Sequence, residues 1–173
     1  MKCIYTIGHS TRPVLEFIDI LKHYGVTLLM DIRTVPRSRH MPDYNLETLP
    51  RLLADVGIAH TYEAALGGLR KPHADSINGG WRNKSFRGYA DYMQTDEFRA
   101  GIERLIAHAK EHTVAIMCAE AVPWRCHRSL VGDALLVRGR CVMDIFDATH
   151  TKEEVLTPFA QVVGTTITYP PYE

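Results

Sequence analysis

The 173-residue sequence lacks long hydrophobic runs, and no apolar stretch approaches the roughly 18 residues that a membrane-spanning helix needs. The opening segment 1–9 is too short and polar for a signal peptide. Internal repeats and low-complexity tracts are absent too, which excludes solenoids and flexible linkers. We therefore expect a cytoplasmic protein with no membrane partner. It should form one domain over 1–173, with a C-terminal extension from 146.

Cysteine and net charge are also scarce. Four cysteines are too few for a dense disulfide framework, so we expect reduced thiols. The 20 basic and 20 acidic residues balance, so total charge gives no argument for a nucleic-acid partner. Neither a P-loop nor a Gly-x-Gly-x-x-Gly motif is present, which weakens Walker-type ATP hydrolysis and Rossmann-type NAD binding. No cofactor can be assigned.

What is present is an alternation of short β-rich runs and helical patterns, which is typical of β-α-β units. The sequence predicts an α/β fold of Rossmann-like, three-layer type, with a mostly parallel open sheet of about five strands and helices on both faces. The predicted strands are 2–7, 27–32, 59–62, 113–118 and 141–146. The predicted helices are 13–23, 46–56, 86–93, 96–110 and 127–137. Thr11, Asn45, Ser85 and Thr95 are the expected helix caps.

Positive charge is concentrated in the segments that follow the predicted strands, where open parallel sheets bind ligands. Four such segments hold eleven cations, nine of them arginine, against four acids: 8–13, 31–44, 65–87 and 118–128. Their net charge is +7, and the rest of the chain carries −7. Arginine can bind a phosphate through two parallel hydrogen bonds, so the pattern predicts an anion site. The alternative is that arginine is common in loops because its side chain is solvated there. The arginines that we expect on the phosphate are Arg33, Arg37, Arg125 and Arg128.

The segment 117–128 is the strongest motif, because a buried strand there gives way to a helix start flanked by arginines. This surrounding charge should lower the pKa of Cys126 and make it a nucleophile, unless the thiol simply packs in the core. A tyrosine-phosphatase loop needs an arginine six positions after the nucleophilic cysteine. Neither Cys118 nor Cys126 has one, which excludes such a loop. The spacing of Cys118 and Cys126 is not typical of zinc ligands, and we expect no metal site.

Other strand ends supply further candidates. Glu120 should be partly buried among cations, as an acid, base or nucleophile, or as a structural partner of Arg33 or Arg128. The glycine pair Gly67-Gly68 would let the backbone approach a ligand, and the irregular stretch 67–84, which begins with this pair, would form a lid or hide a helical turn. The remaining expected ligand-binding residues are His9, Ser10, Asp31, Ser38, Gly67, Gly68, Cys118 and His127.

These residues fall in blocks that resemble the uncharacterised family named domain of unknown function 488. The blocks are 6–10, 31–38, 66–68, Tyr89, 117–120 and 126–128, and the resemblance spans about 3–145. The resemblance implies no particular activity. It marks the same strand-end residues as the charge pattern.

Three functions remain open at this point. The leading hypothesis is an α/β enzyme that binds a phosphorylated small molecule, a nucleotide or a nucleic-acid end, with Glu120 or Cys126 as the reactive group. A non-catalytic nucleic-acid-binding module would use the same arginines along a phosphate backbone, with aromatic side chains such as Tyr89 stacked on bases. A thiol or redox protein would act through Cys118 and Cys126.

Overall fold

The computed structural model describes residues 2–171, and most of its strands form one six-stranded sheet. The eight strands are β1 (Ile4–Gly8), β2 (Leu28–Asp31), β3 (Ala59–Tyr62), β4 (Val114–Cys118), β5 (Val142–Ile145), β6 (Thr151–Glu153), β7 (Gln161–Val163) and β8 (Thr166–Thr168). The sheet order is β3-β2-β4-β1-β5-β6, with parallel pairing throughout except between β5 and β6. The predicted mostly parallel α/β sheet is confirmed, and β6 adds an unpredicted antiparallel edge.

Five α-helices pack on this sheet, all close to predicted positions. They are α1 (Val14–His23), α2 (Leu49–Ala54), α3 (Lys84–Tyr92), α4 (Asp96–Glu111) and α5 (Arg128–Leu136). Helix α2 is shorter than the predicted 46–56, because Pro50 takes a place in its first turn, where a missing N–H costs nothing. Short 3₁₀ turns at 42–44, 64–66 and 123–125 lie in the connections.

The sheet buries both of its faces, which makes the fold three-layered. In β4, Val114 and Ile116 pack into the cluster formed with α3, α4 and α5. Ala115 and Met117 point to the other face and pack with α1 and α2. This alternation follows from the two-residue period of a strand, and a strand covered on both faces must be apolar throughout.

Two of the four predicted caps differ from the structure, and a third lies outside its helix. Thr95 is confirmed, since its hydroxyl accepts a hydrogen bond from the Phe98 amide at 3.2 Å. Asn83 takes the role expected of Ser85, whose amide donates to Asn83 Oδ1 at 2.8 Å. Pro13, and not Thr11, precedes the first residue of α1. The shortening of α2 leaves the predicted cap Asn45 outside that helix.

The C-terminal segment folds back onto the domain. Strands β7 and β8 form a separate hairpin, after which Tyr169 is fully buried and its hydroxyl donates to Asp133 Oδ2 at 2.7 Å. The Tyr169 amide donates to Asn78 Oδ1 at 2.9 Å, which ties the segment to the irregular stretch 67–83. The last two residues of the expected C-terminal extension, 172–173, lie outside the described residues.

The expectation that all four cysteines are reduced is wrong for one pair. Cys3 and Cys141 form a disulfide, with their Cα atoms 4.4 Å apart. The reason is the strand order, because β1 and β5 are parallel neighbours and Cys3 and Cys141 immediately precede the paired residues Ile4 and Val142. Cys118 and Cys126 are free. Within residues 2–171, no helix has the length and apolarity needed to cross a membrane.

Candidate functional site

The strand order brings three of the sequence blocks to one edge of the sheet. His9 after β1 donates its backbone N–H to the Cys118 carbonyl at the end of β4, at 2.9 Å. Ile32 after β2 donates its backbone N–H to the Met117 carbonyl at 3.0 Å. His127 Nε2 reaches the Ile32 carbonyl at 2.9 Å, so the start of α5 is joined to the end of β2. Segments distant in sequence thus meet at the carboxyl edge.

Asp31 and Arg33 form a buried ion pair at this edge. Arg33 Nε and Nη2 donate to the two Asp31 oxygens at 2.9 and 2.6 Å, and Nη2 also donates to the Tyr44 carbonyl at 2.6 Å. Asp31 is fully buried and Arg33 is 4% exposed. Because its guanidinium is bound to a buried carboxylate, Arg33 stabilises the fold. This geometry contradicts the expectation that Arg33 binds a phosphate.

His9 belongs to the same support. Its ring stacks on Tyr44, with centroids 4.2 Å apart, and its Nδ1 contacts the Ser10 carbonyl at 2.8 Å. Burial lowers the pKa of His9 below its ordinary value. Ser10 has a positive φ of 49° and donates its N–H to the Ala119 carbonyl at 3.0 Å, which fixes the turn after β1. These contacts favour a structural role for His9 over the expected ligand-binding role.

Arg37 and Ser38 lie in the connection that follows β2 and line a different cavity, of about 440 Å³. Arg37 Nη2 donates to Glu47 Oε1 at 2.6 Å in an exposed ion pair. The Ser38 amide donates to Asn45 Oδ1 at 2.7 Å, which orders the loop. Neither residue lines the cavity at the start of α5, so the four predicted arginines do not converge on one phosphate.

Two thiols and one imidazole meet between β4 and α5. The Sγ atoms of Cys126 and Cys118 are 2.9 Å apart, and both residues are buried. His127 Nδ1 lies 3.5 Å from Cys126 Sγ. Cys126 donates to Cys118, which lowers the pKa of Cys118 and keeps the proton on Cys126. The predicted lowering of the Cys126 pKa is therefore wrong, because the hydrogen bond to Cys118 and burial both raise it.

His127 is held as a neutral imidazole in one tautomer. Burial lowers its pKa to about 4, so the ring carries no charge at neutral pH. Because a carbonyl only accepts hydrogen bonds, Nε2 carries the proton that is donated to Ile32. The lone pair of His127 is consequently on Nδ1, beside Cys126 Sγ, where it can accept a proton.

A cavity of about 180 Å³ opens beside this cluster. The residues that line it are Thr34, Gly68, Leu69, Ser85, Phe86, Tyr89, Arg125, Cys126 and His127. A Cβ at Gly68 would lie 3.0 Å from His127 Nδ1, so the glycine permits a close approach of backbone to imidazole. Gly67 is buried, and a Cβ there would lie 3.2 Å from the Ala64 carbonyl oxygen. The glycine pair therefore shapes the cavity wall.

Charge at the cavity is positive and unbalanced. Its lining contains Arg125 and no acidic residue, and Arg125 is exposed, without an ion pair to any residue that the structure describes. An adjacent cavity of about 340 Å³ shares Leu69 and Ser85 with it and adds three more cations. These cations are Arg70, Lys71 and Lys84. All four cations lie in segments expected to carry the positive charge, but of the four arginines expected on the phosphate only Arg125 lines this cavity.

Glu120 and Arg128 both differ from expectation. Glu120 is exposed, is not among the cavity-lining residues and has no ion pair within residues 2–171, so neither predicted arginine is its partner. Arg128 is fully buried, and its Nη2 donates to the Ala121 carbonyl at 3.1 Å. Its Nε and Nη1 find no hydrogen-bond partner among the described residues. Arg128 therefore lies beneath the site and is not among the residues that line the cavity.

Sequence reasoning missed four cavity residues as site candidates. Thr34 lies inside the block 31–38, Ser85 is predicted as a helix cap, and Phe86 is an aromatic neighbour of the base-stacking candidate Tyr89. Leu69 carries no chemical signal of its own. Tyr89 lines the cavity but is 1% exposed, and its hydroxyl donates to the Leu66 carbonyl at 2.8 Å. This contact favours helix packing over base stacking for Tyr89. These cavity residues are brought together by the contact between α3 and α5, which the sequence alone does not predict.

The fold and the cavity define an α/β protein with an open, mostly parallel sheet and a basic pocket at its carboxyl edge. The chain belongs to the family described as Domain of unknown function DUF488, whose match covers residues 13–135. The match starts after the 6–10 block and ends before β5, so it is shorter than the expected span of 3–145. Comparison with curated proteins and with solved structures finds no match.

Proposed function

We propose that the protein binds a phosphorylated small molecule, with a nucleotide as the favoured class, in the cavity between α3 and α5. The observation that carries this proposal is an acid-free cavity lining that contains an unpaired Arg125, next to three further cations. A phosphate monoester is a dianion with several acceptor oxygens, which suits guanidinium and ammonium donors. Ser85 adds a hydroxyl at the start of α3, where the helix dipole also favours an anion.

Calorimetric titration with inorganic phosphate and the four common nucleoside monophosphates tests the proposal. Arg125→Ala should lower the affinity about tenfold or more, since a charge-assisted hydrogen bond contributes about 1.5–3 kcal/mol. Arg51→Ala is the matched control, because Arg51 is an exposed arginine on α2, against the opposite face of the sheet, and should leave affinity unchanged. Equal affinities of Arg125→Ala and wild type, or no binding by any of these probes, would contradict the proposal.

Salt dependence separates this pocket from the nucleic-acid-binding alternative. One phosphate in a pocket should give a shallow loss of affinity with salt, whereas a backbone that spans many cations gives a steep loss. A single-stranded oligonucleotide that binds more tightly than a nucleoside monophosphate, with a steep slope, would favour the binding module instead.

Catalysis in this cavity is assigned to Cys126, because it lines the cavity and lies 3.5 Å from His127 Nδ1. Glu120 lies outside the lining and loses support as the reactive group. In a panel of phosphate esters, Cys126→Ser should abolish any turnover and Glu120→Gln should change it little. Full turnover by the Cys126→Ser variant would remove the catalytic part of the proposal.

The cytoplasmic location stays a prediction. The free thiols Cys118 and Cys126 agree with a reducing compartment, whereas the disulfide between Cys3 and Cys141 is unusual there.

A further inference from the structure

The two free thiols are placed almost at bonding distance. Cys118 ends β4 and Cys126 lies just before α5, and their Sγ atoms are 2.9 Å apart. A disulfide requires about 2.05 Å, so the two sulfurs need to move together by only about 0.9 Å. A shift of this size is within the reach of side-chain adjustment.

The surroundings of the pair suit an oxidation that starts at Cys126. Cys126 lines the 180 Å³ cavity, whereas Cys118 is 2% exposed and lies behind it. A small oxidant in the cavity therefore meets Cys126 first, and Cys118 is placed to attack the oxidised sulfur.

Positive charge beneath the pair favours its ionised form. The buried guanidinium of Arg128 has Nε and Nη1 without hydrogen-bond partners among the described residues, and its charge acts on both thiols. The Arg128 backbone N–H also points to Cys126 Sγ, at 3.5 Å. One negative charge shared by the two sulfurs is stabilised by this arrangement.

We propose that Cys118 and Cys126 form a reversible disulfide, with a hydroperoxide as the oxidant. Cys126 passes its proton to the Cys118 thiolate while its sulfur attacks one oxygen of hydrogen peroxide, which breaks the O–O bond and releases hydroxide. Cys118 then attacks the Cys126 sulfenic sulfur, its proton leaves with the departing oxygen as water, and the S–S bond forms. The pair loses two electrons, and the peroxide is reduced to water and hydroxide. A dithiol reverses the reaction.

Disulfide formation would withdraw Cys126 from His127 and from the cavity. Oxidation would therefore inactivate the site, a consequence that rests on the proposed function, whereas the disulfide itself does not. The two can therefore fail separately, because disulfide mapping needs no phosphorylated ligand.

Peptide mapping after peroxide treatment tests the pairing directly. Trypsin cleaves after Lys110, Arg125 and Arg128, so Cys118 and Cys126 fall in peptides 111–125 and 126–128. The full-length protein, with Cys118 and Cys126 as free thiols and the Cys3–Cys141 disulfide intact, is treated with hydrogen peroxide and digested without reductant. It should yield these two peptides joined, lighter by two hydrogen atoms. Dithiothreitol should separate them. The other disulfide joins peptides 3–22 and 141–152 and serves as an internal reference.

Two variants complete the design. In Cys118→Ser, the joined peptide should disappear and Cys126 should be trapped by dimedone as a sulfenic acid. In the double variant Cys3→Ser with Cys141→Ser, the joined peptide should form as in wild type. The inference is overturned if peroxide leaves both thiols free, oxidises Cys126 irreversibly without joining the peptides, or links the peptides only between two chains.

Discussion

Glu154 carries a pH-dependent contribution to stability that can be measured without knowing the ligand. The residue follows β6, and its Oε2 is buried without a hydrogen-bond partner among the described residues. It packs against Gly132 of α5, where a Cβ would lie only 1.5 Å from Oε2. Burial first, and then the charges of Asp144 and Asp133, raise the pKa of Glu154 to about 9, and Arg128 offsets this in part.

The sign of the effect follows from proton binding in the two states. The unfolded chain releases the Glu154 proton near pH 4.5, whereas the folded chain keeps it up to about pH 9. Between these values the folded state binds more protons, so the free energy of unfolding falls as pH rises, by up to about 1.4 kcal/mol per pH unit. Over a rise from about pH 7 to about pH 8.5 the loss is about 2 kcal/mol. The pKa of His127 is about 4 and that of His9 is lowered, so both rings are neutral over this range.

Urea denaturation of wild type and of Glu154→Gln measures this slope. Gln has nearly the shape of the protonated acid and cannot ionise. The free energy of unfolding of the variant should therefore not show the wild-type decrease of about 2 kcal/mol between about pH 7 and about pH 8.5. Glu153→Gln is the control, because Glu153 is exposed, and it should follow the wild-type curve. Parallel pH curves for wild type and Glu154→Gln would refute the argument that Glu154 is protonated when folded.

Two further predictions concern the support of the site. Gly8→Ala should lower the free energy of unfolding by about 3 kcal/mol, because the added Cβ would lie 1.7 Å from the Glu120 carbonyl oxygen, and urea denaturation measures the loss. Asp31→Asn should destabilise by about 3–5 kcal/mol through the buried, uncompensated charge of Arg33, and an unchanged thermal midpoint would contradict it.

The layout of the sheet was predictable because its strands are apolar runs with a clear period. Strands β1 to β5 follow the predicted segments, and the central strands β2 and β4 are buried throughout and almost entirely apolar, as strands covered on both faces are. The edge strand β3 is only partly buried. Strand β6 was missed because all three of its residues are exposed and polar or charged, which gives no hydrophobic signal. The disulfide between Cys3 and Cys141 was missed because it depends on strand order, which local patterns do not determine.

The position of the sequence blocks in the fold was predictable, but the contacts of their individual side chains were not. The blocks after β1, β2 and β4 do meet at one edge, as the rule for open parallel sheets requires. Counting charges could not distinguish Arg33, held by a carboxylate two residues away, from Arg125, which faces a cavity. Burial decides between these roles, and it arises from tertiary packing that a sequence window does not contain.

The motif residues divide into a buried support and a cavity face, and this division determines which substitutions report on function. Asp31, Arg33 and Arg128 are 4% exposed or less, so changing them would alter folding before it altered any ligand contact. Arg125 is exposed at the cavity and has no ion-pair partner among residues 2–171, so its removal leaves no buried charge behind. A loss of binding in Arg125→Ala with an unchanged free energy of unfolding would therefore report on the site itself, whereas the same loss in Arg33→Ala would not.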